Sequence, residues 1–265
     1  MPYSITLSLK PIRTLPHSGG IPHRALNALL YHWLEAADPR LSAFVHEQAE
    51  PKPFTLSPLV EEGGGRYRFR VTLLEDEYGP YVSKGMEQER TVRVGSKILA
   101  IDGEATVEHR TYADIAQPAG TSPVITLRFD SPTAFKTRGM HYPLPDPILV
   151  FASYHARWNA FAPAEFHIDE SWSEWLAGSG AVSRFALRSE TLDFGEYRHV
   201  GCTGVIQFTV TARGPEANAG RGPLNALADY AYFCGTGHKT TQGLGQTRRL
   251  PGWPEEETKP SALES

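Results

Sequence analysis

The apolar residues of this chain change period in a definite order, and that order restricts the architecture more than composition does. SITLSLK (4–10) alternates polar and apolar residues and reads as a strand. A loop with Pro16, Gly19, Gly20 and Pro22 follows. Leu26, Leu29, Leu30, Trp33 and Leu34 then recur at i, i+3, i+4, i+7 and i+8, the stripe of an amphipathic helix. Asp38-Pro39 ends it and can start a second helix. There Leu41, Phe44, Val45 and Gln48 keep the helical spacing until Pro51 and Pro53 stop it. RYRFRVTLL (66–74), RTVRVGSKILAI (90–101) and SPVITLRFDSP (122–132) are strand-like runs. A strand, helices and then antiparallel strands predict an α+β unit of the ferredoxin-like kind, closing near residue 132.

The order then restarts. DPILVFASYHARWNAF (146–161) is a helix candidate, and SRFALRSETL (183–192) and GVIQFTVTA (204–212) read as strands. PLNALADYAYF (223–233) is a helix with Pro223 in its first turn, a stripe of Leu224, Leu227, Ala228 and Ala231, and Gly235 as its C-terminal cap. QTRRL is a short last strand. The fold class expected is α+β, two tandem ferredoxin-like (RRM-like) domains over 1–132 and 133–250. An acidic, disordered tail is expected over 251–265. The halves share no sequence repeat, so the duplication rests on element order.

Composition narrows the setting. The formal net charge is -4. The tail holds Glu255, Glu256, Glu257 and Glu264 against Lys259, so most of the excess negative charge sits there and a local basic patch remains possible. Two cysteines, Cys202 and Cys234, fit a reducing, cytoplasmic setting and argue against a disulfide scaffold or a zinc site. No stretch has the length of a membrane span, and the N-terminus has no secretory apolar core.

Between the last helix and strand lies GTGHKTTQGLGQ (235–246). A phosphate-binding P-loop would need glycine where Phe233 and His238 stand, and would lie between a strand and a helix rather than the reverse. The dinucleotide pattern fails at Thr240. Two readings stay open. Backbone N–H groups of the loop, with His238, Lys239, Arg248 and Arg249, can face a polyanion. The glycines can instead serve a tight helix-to-strand connection.

Four segments in order carry a resemblance. They are HRALNALLYHWLEAADPRLSAFVHEQAEPKPFTLSPL, FDSPTAF with PDPILVFASYHARWNAF, RHVGCTGVIQFTV, and YAYFCGTGHKTTQGLGQTR. Together they resemble the CRISPR-associated endoribonucleases of the Cas-six type, within the RAMP superfamily, over nearly the whole chain. Cys202 stands where such proteins commonly carry phenylalanine. The resemblance implies tandem ferredoxin-like domains, no cofactor or metal, and cleavage of CRISPR repeat RNA by attack of a ribose 2′-hydroxyl on the adjacent phosphate. The products would be a 2′,3′-cyclic phosphate and a 5′-hydroxyl.

Such a reaction needs a base, an acid and a donor or cation at the phosphate. The matching positions are Tyr31, His46 and Lys52. At about 100° per residue, Tyr31 and His46 each lie well off the apolar face of their helices, so neither is required in the core. His32, on the opposite flank of the first helix, is the alternative histidine. His155, His167 and His199 show no ligand spacing. RNA contacts are expected from Gly235, Gly237, His238, Lys239, Thr240, Gly243, Gly245, Arg248 and Arg249, and from Lys136, Arg138 and Arg157. Expected partners are the precursor and mature repeat RNA, a CRISPR effector complex and a second copy of the chain. The rival is a cleavage-incompetent RAMP protein that only holds repeat RNA; a nucleotide-binding protein is the third reading.

Overall fold

The structure, a computed structural model, describes residues 1–14, 23–117, 120–194 and 198–255. The expected loop around Pro16 and Gly20, and the expected tail from residue 256 onward, lie outside the described residues.

The first half runs β1 (Tyr3–Thr14), α1 (His23–Ala37), α2 (Pro39–Glu47), β2 (Phe54–Leu56), β3 (Val60–Glu62), β4 (Arg66–Leu73), α3 (Gly79–Gln88), β5 (Thr91–Val94), β6 (Lys97–Ile101), β7 (Thr106–His109) and α4 (Tyr112–Ala116). Its sheet has the order β2-β4-β1-β6-β5, with β3 also on β4 and β7 also on β1; these pairs are antiparallel. The stripe Leu26, Leu29, Leu30, Trp33 and Leu34 is buried against Leu7, Phe69, Val71 and Leu99 of the sheet. Full burial of such side chains stabilises by roughly 1.5–3 kcal/mol each. Gly85 lets α3 cross α1 closely, since a Cβ there would lie 2.0 Å from the carbonyl oxygen of Trp33.

The second half runs β8 (Val124–Thr133), β9 (Phe135–Thr137), β10 (Met140–Tyr142), α5 (Pro147–Phe161), α6 (Ser171–Ser179), β11 (Gly180–Asp193), β12 (Arg198–Val210), α7 (Pro215–Cys234) and β13 (Thr247–Leu250). Its sheet has the order β11-β12-β8-β13, and β9 and β10 form a separate hairpin. Phe151, Tyr154 and Trp158 of α5 and Leu227, Tyr230 and Ala231 of α7 join Ile125, Leu127 and Phe129 of β8 in a second core. Tandem ferredoxin-like halves are what this element order produces.

Three expectations need correction. The run 122–132 does not close the first domain: β8 hydrogen-bonds to β12 and β13, so the change of unit falls between α4 and β8. The run 90–101 is a hairpin, β5 and β6, because Gly95 takes φ 61° in the turn. The last helix starts at Pro215, with Pro223 inside it rather than in its first turn. Gly222 has no Cβ to strike the proline ring, so the helix passes through.

The halves are joined by buried polar contacts. The Tyr112 and Tyr230 hydroxyls meet at 3.3 Å, and Thr55 donates to the carbonyl of Phe233 at 3.1 Å.

Candidate active site

Asp38 sets the start of α2: its carboxylate accepts from the N–H groups of Arg40 (2.9 Å) and Leu41 (3.4 Å). The helix buries Ser42 and Val45, while Phe44, expected on its apolar face, is 57% exposed. Ser42 donates to the carbonyl of Tyr31 at 3.2 Å and ties α2 to α1. This brings Tyr31 and His46 together, ring centroids 5.1 Å apart and edge to face, with Phe54 behind Tyr31 at 5.9 Å. Both line a groove of about 500 Å³ between the helices, shared with His32, Glu35 and Glu47.

His46 is exposed and Tyr31 half-buried. Burial, and then the charge of Glu50, push the Tyr31 phenol up to about 12. It therefore keeps its proton at neutral pH. His32 stands 3.7 Å from the Glu89 carboxylate, across the mouth.

Lys52 does not point into this groove. Its ammonium donates to the carbonyls of Val45 (3.0 Å), His46 (2.7 Å) and Gln48, the acceptors that the end of α2 leaves unpaired. Lys52 thus caps the helix that carries His46.

The glycine loop is compact and largely buried. Gly235 ends α7 at φ 64°, donating its N–H to Ala231. Gly237 and Gly245 allow close backbone crossings, where a Cβ would lie 2.3 Å from the Ala134 oxygen and 2.1 Å from the Thr236 oxygen. Gly243 rests on Leu26 and Pro58 of the first half. Arg157 is turned inward, donating to the carbonyls of Ser153 (2.9 Å) and Gly237 (2.8 Å) and, at 3.4 Å, to Thr240. The loop faces Glu50, Pro51 and Ser153 across a cavity of about 360 Å³; Glu50 lies three residues from Glu47 of the first groove.

Charge around the loop is uneven. Lys239 lies over the Phe194 ring at 4.7 Å and donates to Gln242 at 3.3 Å. His238 adjoins His141 at 5.6 Å, which meets His199 at 3.9 Å. Burial, then Lys239, lower His238 to about 4, so it is neutral at pH 7. Lys136 and Arg138 stand exposed on the β9–β10 hairpin. Arg248 pairs with Asp130 at 3.3 Å, and Arg249 is held by Asp229 at 3.0 Å.

Sequence reasoning named Arg248 but missed the cationic cleft between the two halves that it shares with Arg68 and Arg70. Arg68, Arg70, Arg248, Tyr232, Ser57 and Gln246 line about 510 Å³ of it. Arg70 stacks over Tyr232 at 4.1 Å and donates to Gln246 at 3.2 Å. Burial holds the Asp130 carboxyl above the ordinary range despite the arginines around it. The signal was in RYRFRVTLL: Arg66, Arg68 and Arg70 recur at every second residue, opposite the buried Tyr67, Phe69 and Val71. Among the described residues, no group of three or more His, Cys, Asp or Glu is arranged to hold a metal ion, and no helix is long and apolar enough to cross a membrane.

Known proteins resemble this chain in sequence and fold. The model of the CRISPR Cas6 N-terminal domain matches residues 1–88, and that of the CRISPR-associated endoribonuclease Cas6 matches residues 127–247. A curated Mycobacterium tuberculosis protein of the latter description is 34% identical over 134 residues, 51% of this chain and 41% of that protein; the match therefore spans less than half of the relative's length. The structure of a Cas6 product complex is 26% identical with a TM-score of 0.81, covering 94% of this chain and 99% of the other. A Thermus thermophilus Cas6 structure is 27% identical with a TM-score of 0.71, covering 94% and 98%. With two models of one family matching its two halves in order, and solved members following its fold over 94% of its length, the chain belongs to the Cas6 family.

Proposed function

We propose that this chain is an endoribonuclease that cuts CRISPR repeat RNA to release guide RNA, without a metal. The observation that carries the reading is the Tyr31–His46 pair, ring centroids 5.1 Å apart in an open groove between α1 and α2. The 2′-oxygen forms a bond to phosphorus while the bond from phosphorus to the 5′-oxygen breaks. His46, whose imidazole lines the groove, takes the 2′-proton. The Tyr31 phenol donates to the phosphate and delivers a proton to the leaving oxygen; held near 12, it is still a stronger acid than an alcohol. Lys52 assists by fixing the end of α2. The Arg68, Arg70 and Arg248 guanidiniums hold backbone phosphates, with Lys136, Arg138 and Lys239 extending the positive surface past the glycine loop.

The test is a labelled repeat RNA incubated with the protein in EDTA, beside RNAs with a single 2′-deoxy substitution at each candidate nucleotide. A single cut abolished by one 2′-deoxy position supports the reaction. Tight binding without a cut replaces it with a protein that only holds repeat RNA, as in an effector complex. Loss of cleavage in EDTA refutes the metal-free step.

A further inference from the structure

On the helical side of the second half lies a cavity of about 550 Å³ that shares no lining residue with the His46 groove, the loop cavity or the arginine cleft. Three indoles wall it. Trp158 and Trp172 are buried, and the ring of Trp175 lies 6.3 Å from that of Trp172, tilted by 31°. Two are locked in place: Trp158 donates to the carbonyl of Phe166 at 2.7 Å and Trp172 to that of Gly220 at 2.9 Å. The indole wall is thus set before anything binds, which lowers the ordering cost of a ligand.

The opposite wall is the first part of α7, built from small residues. A side chain at Gly220 would overlap the Trp175 ring, whereas the space above Gly222 is open. Pro223 has no N–H, so the helix offers the carbonyl of Ala219, which lines the cavity, no donor from that position. The mouth is acidic. Glu165 and Asp169 line it, and Glu170 and Glu174 stand exposed beside it. Among the described residues none of the four is in an ion pair. Asp169 spends Oδ1 on Ser171, at 2.9 Å from its N–H. His167, also at the mouth, is turned to the carbonyl of Ala162 at 3.0 Å.

Aromatic faces inside, with carboxylates and a carbonyl at the edge, match a flat cation on an apolar stem. We infer that this cavity takes an arginine side chain presented by a basic segment of a partner protein. The methylene stem packs along Phe166 and Ile168, and the guanidinium stacks on Trp175, the half-buried indole of the wall. Its fan of donors faces Glu165, the second oxygen of Asp169 and the Ala219 carbonyl, which an ammonium would engage less completely. RNA is a poor occupant, because the four carboxylates repel its phosphates.

The full chain, labelled with nitrogen-15 at its indoles, is titrated with acetyl-arginine-amide and with the neutral isostere acetyl-citrulline-amide, read by the tryptophan N–H resonances. The arginine compound should shift the signals of Trp158, Trp172 and Trp175 and saturate in the millimolar range, with the citrulline compound at least about fivefold weaker. Ala219→Leu, at an exposed helix position, should abolish the shifts while leaving repeat-RNA cleavage unchanged. Glu165→Lys, also exposed, should weaken binding about tenfold or more. The inference is overturned by absent shifts at tens of millimolar, by equal binding of citrulline, or by unaltered binding in both variants. None of these results bears on the RNA reading, which rests on other residues.

Discussion

The ammonium of Lys52 lies 2.7 Å from the carbonyl oxygen of His46, the residue whose imidazole enters the groove from the other side of the same backbone. Lys52 therefore acts on His46 through the chain. Lys52→Met removes a cation shared by three carbonyls at the end of α2 and loosens that helix end. Cleavage should fall about tenfold or more, with the pH profile of the rate keeping its midpoint and Lys52→Arg restoring most of it. A midpoint that moves instead would show Lys52 titrating or contacting the reacting phosphate.

His46→Ala should slow cleavage by at least about 10²-fold with RNA affinity nearly intact, as expected for removal of a proton-transfer group. Tyr31→Phe keeps the packing on Phe54 and deletes only the hydroxyl, so it should lower the rate without unfolding the protein. Single-turnover rates and filter-binding affinities separate the two effects. A parallel loss of binding and cutting in His46→Ala would make that residue structural.

Arg70→Ala should reduce the slope of log affinity against log salt by about one unit, because one phosphate contact is lost. It also frees Gln246 and Tyr232 from their partner, so a drop in melting temperature should accompany it. Lys239→Ala should lower the slope as well. An unchanged slope in both variants would move the RNA path elsewhere.

His238 gives stability a defined pH dependence. Its imidazole is lowered from 6.5 to about 4 in the folded chain, so the unfolded chain binds the extra proton between those values. The stabilisation is complete above about pH 6.5 and is lost as pH falls toward 4. Melting temperatures taken from pH 7 to 4 should decline, and His238→Asn should flatten that decline. Lys239, Lys136, His141 and His199 surround the ring and oppose its charging from several elements.

Period and turn chemistry made much of this fold legible. The α1 stripe is buried as its spacing requires, and Asp38-Pro39 marks the junction of two helices because the aspartate side chain and the proline ring both act locally. Strand partners were not legible: nothing within 122–132 says which sheet it joins, since β8 finds its neighbours 69 or more residues further on. Phe44 reads as core by period but is exposed, because a nine-residue helix held by Ser42 and Val45 has no second layer above it. The three arginines of β4 needed the strand's alternation to be read for charge as well as for burial. Lys52 is an ordinary loop lysine in sequence; only the three-dimensional return of the chain onto α2 shows its task.

The glycine loop ties the beginning of the protein to a segment translated much later. The Gln246 side chain donates to the carbonyl of Leu56 across 190 residues, and Gly243 settles on Leu26 and Pro58. On the ribosome, the first half emerges with this face uncovered and waits for nearly all of the second half to be synthesised. A premature stop before the loop therefore yields more than a shorter protein: it leaves the helix bearing Tyr31 without its backing, so the nascent chain completes the support of the Tyr31–His46 groove only when translation has passed the last helix.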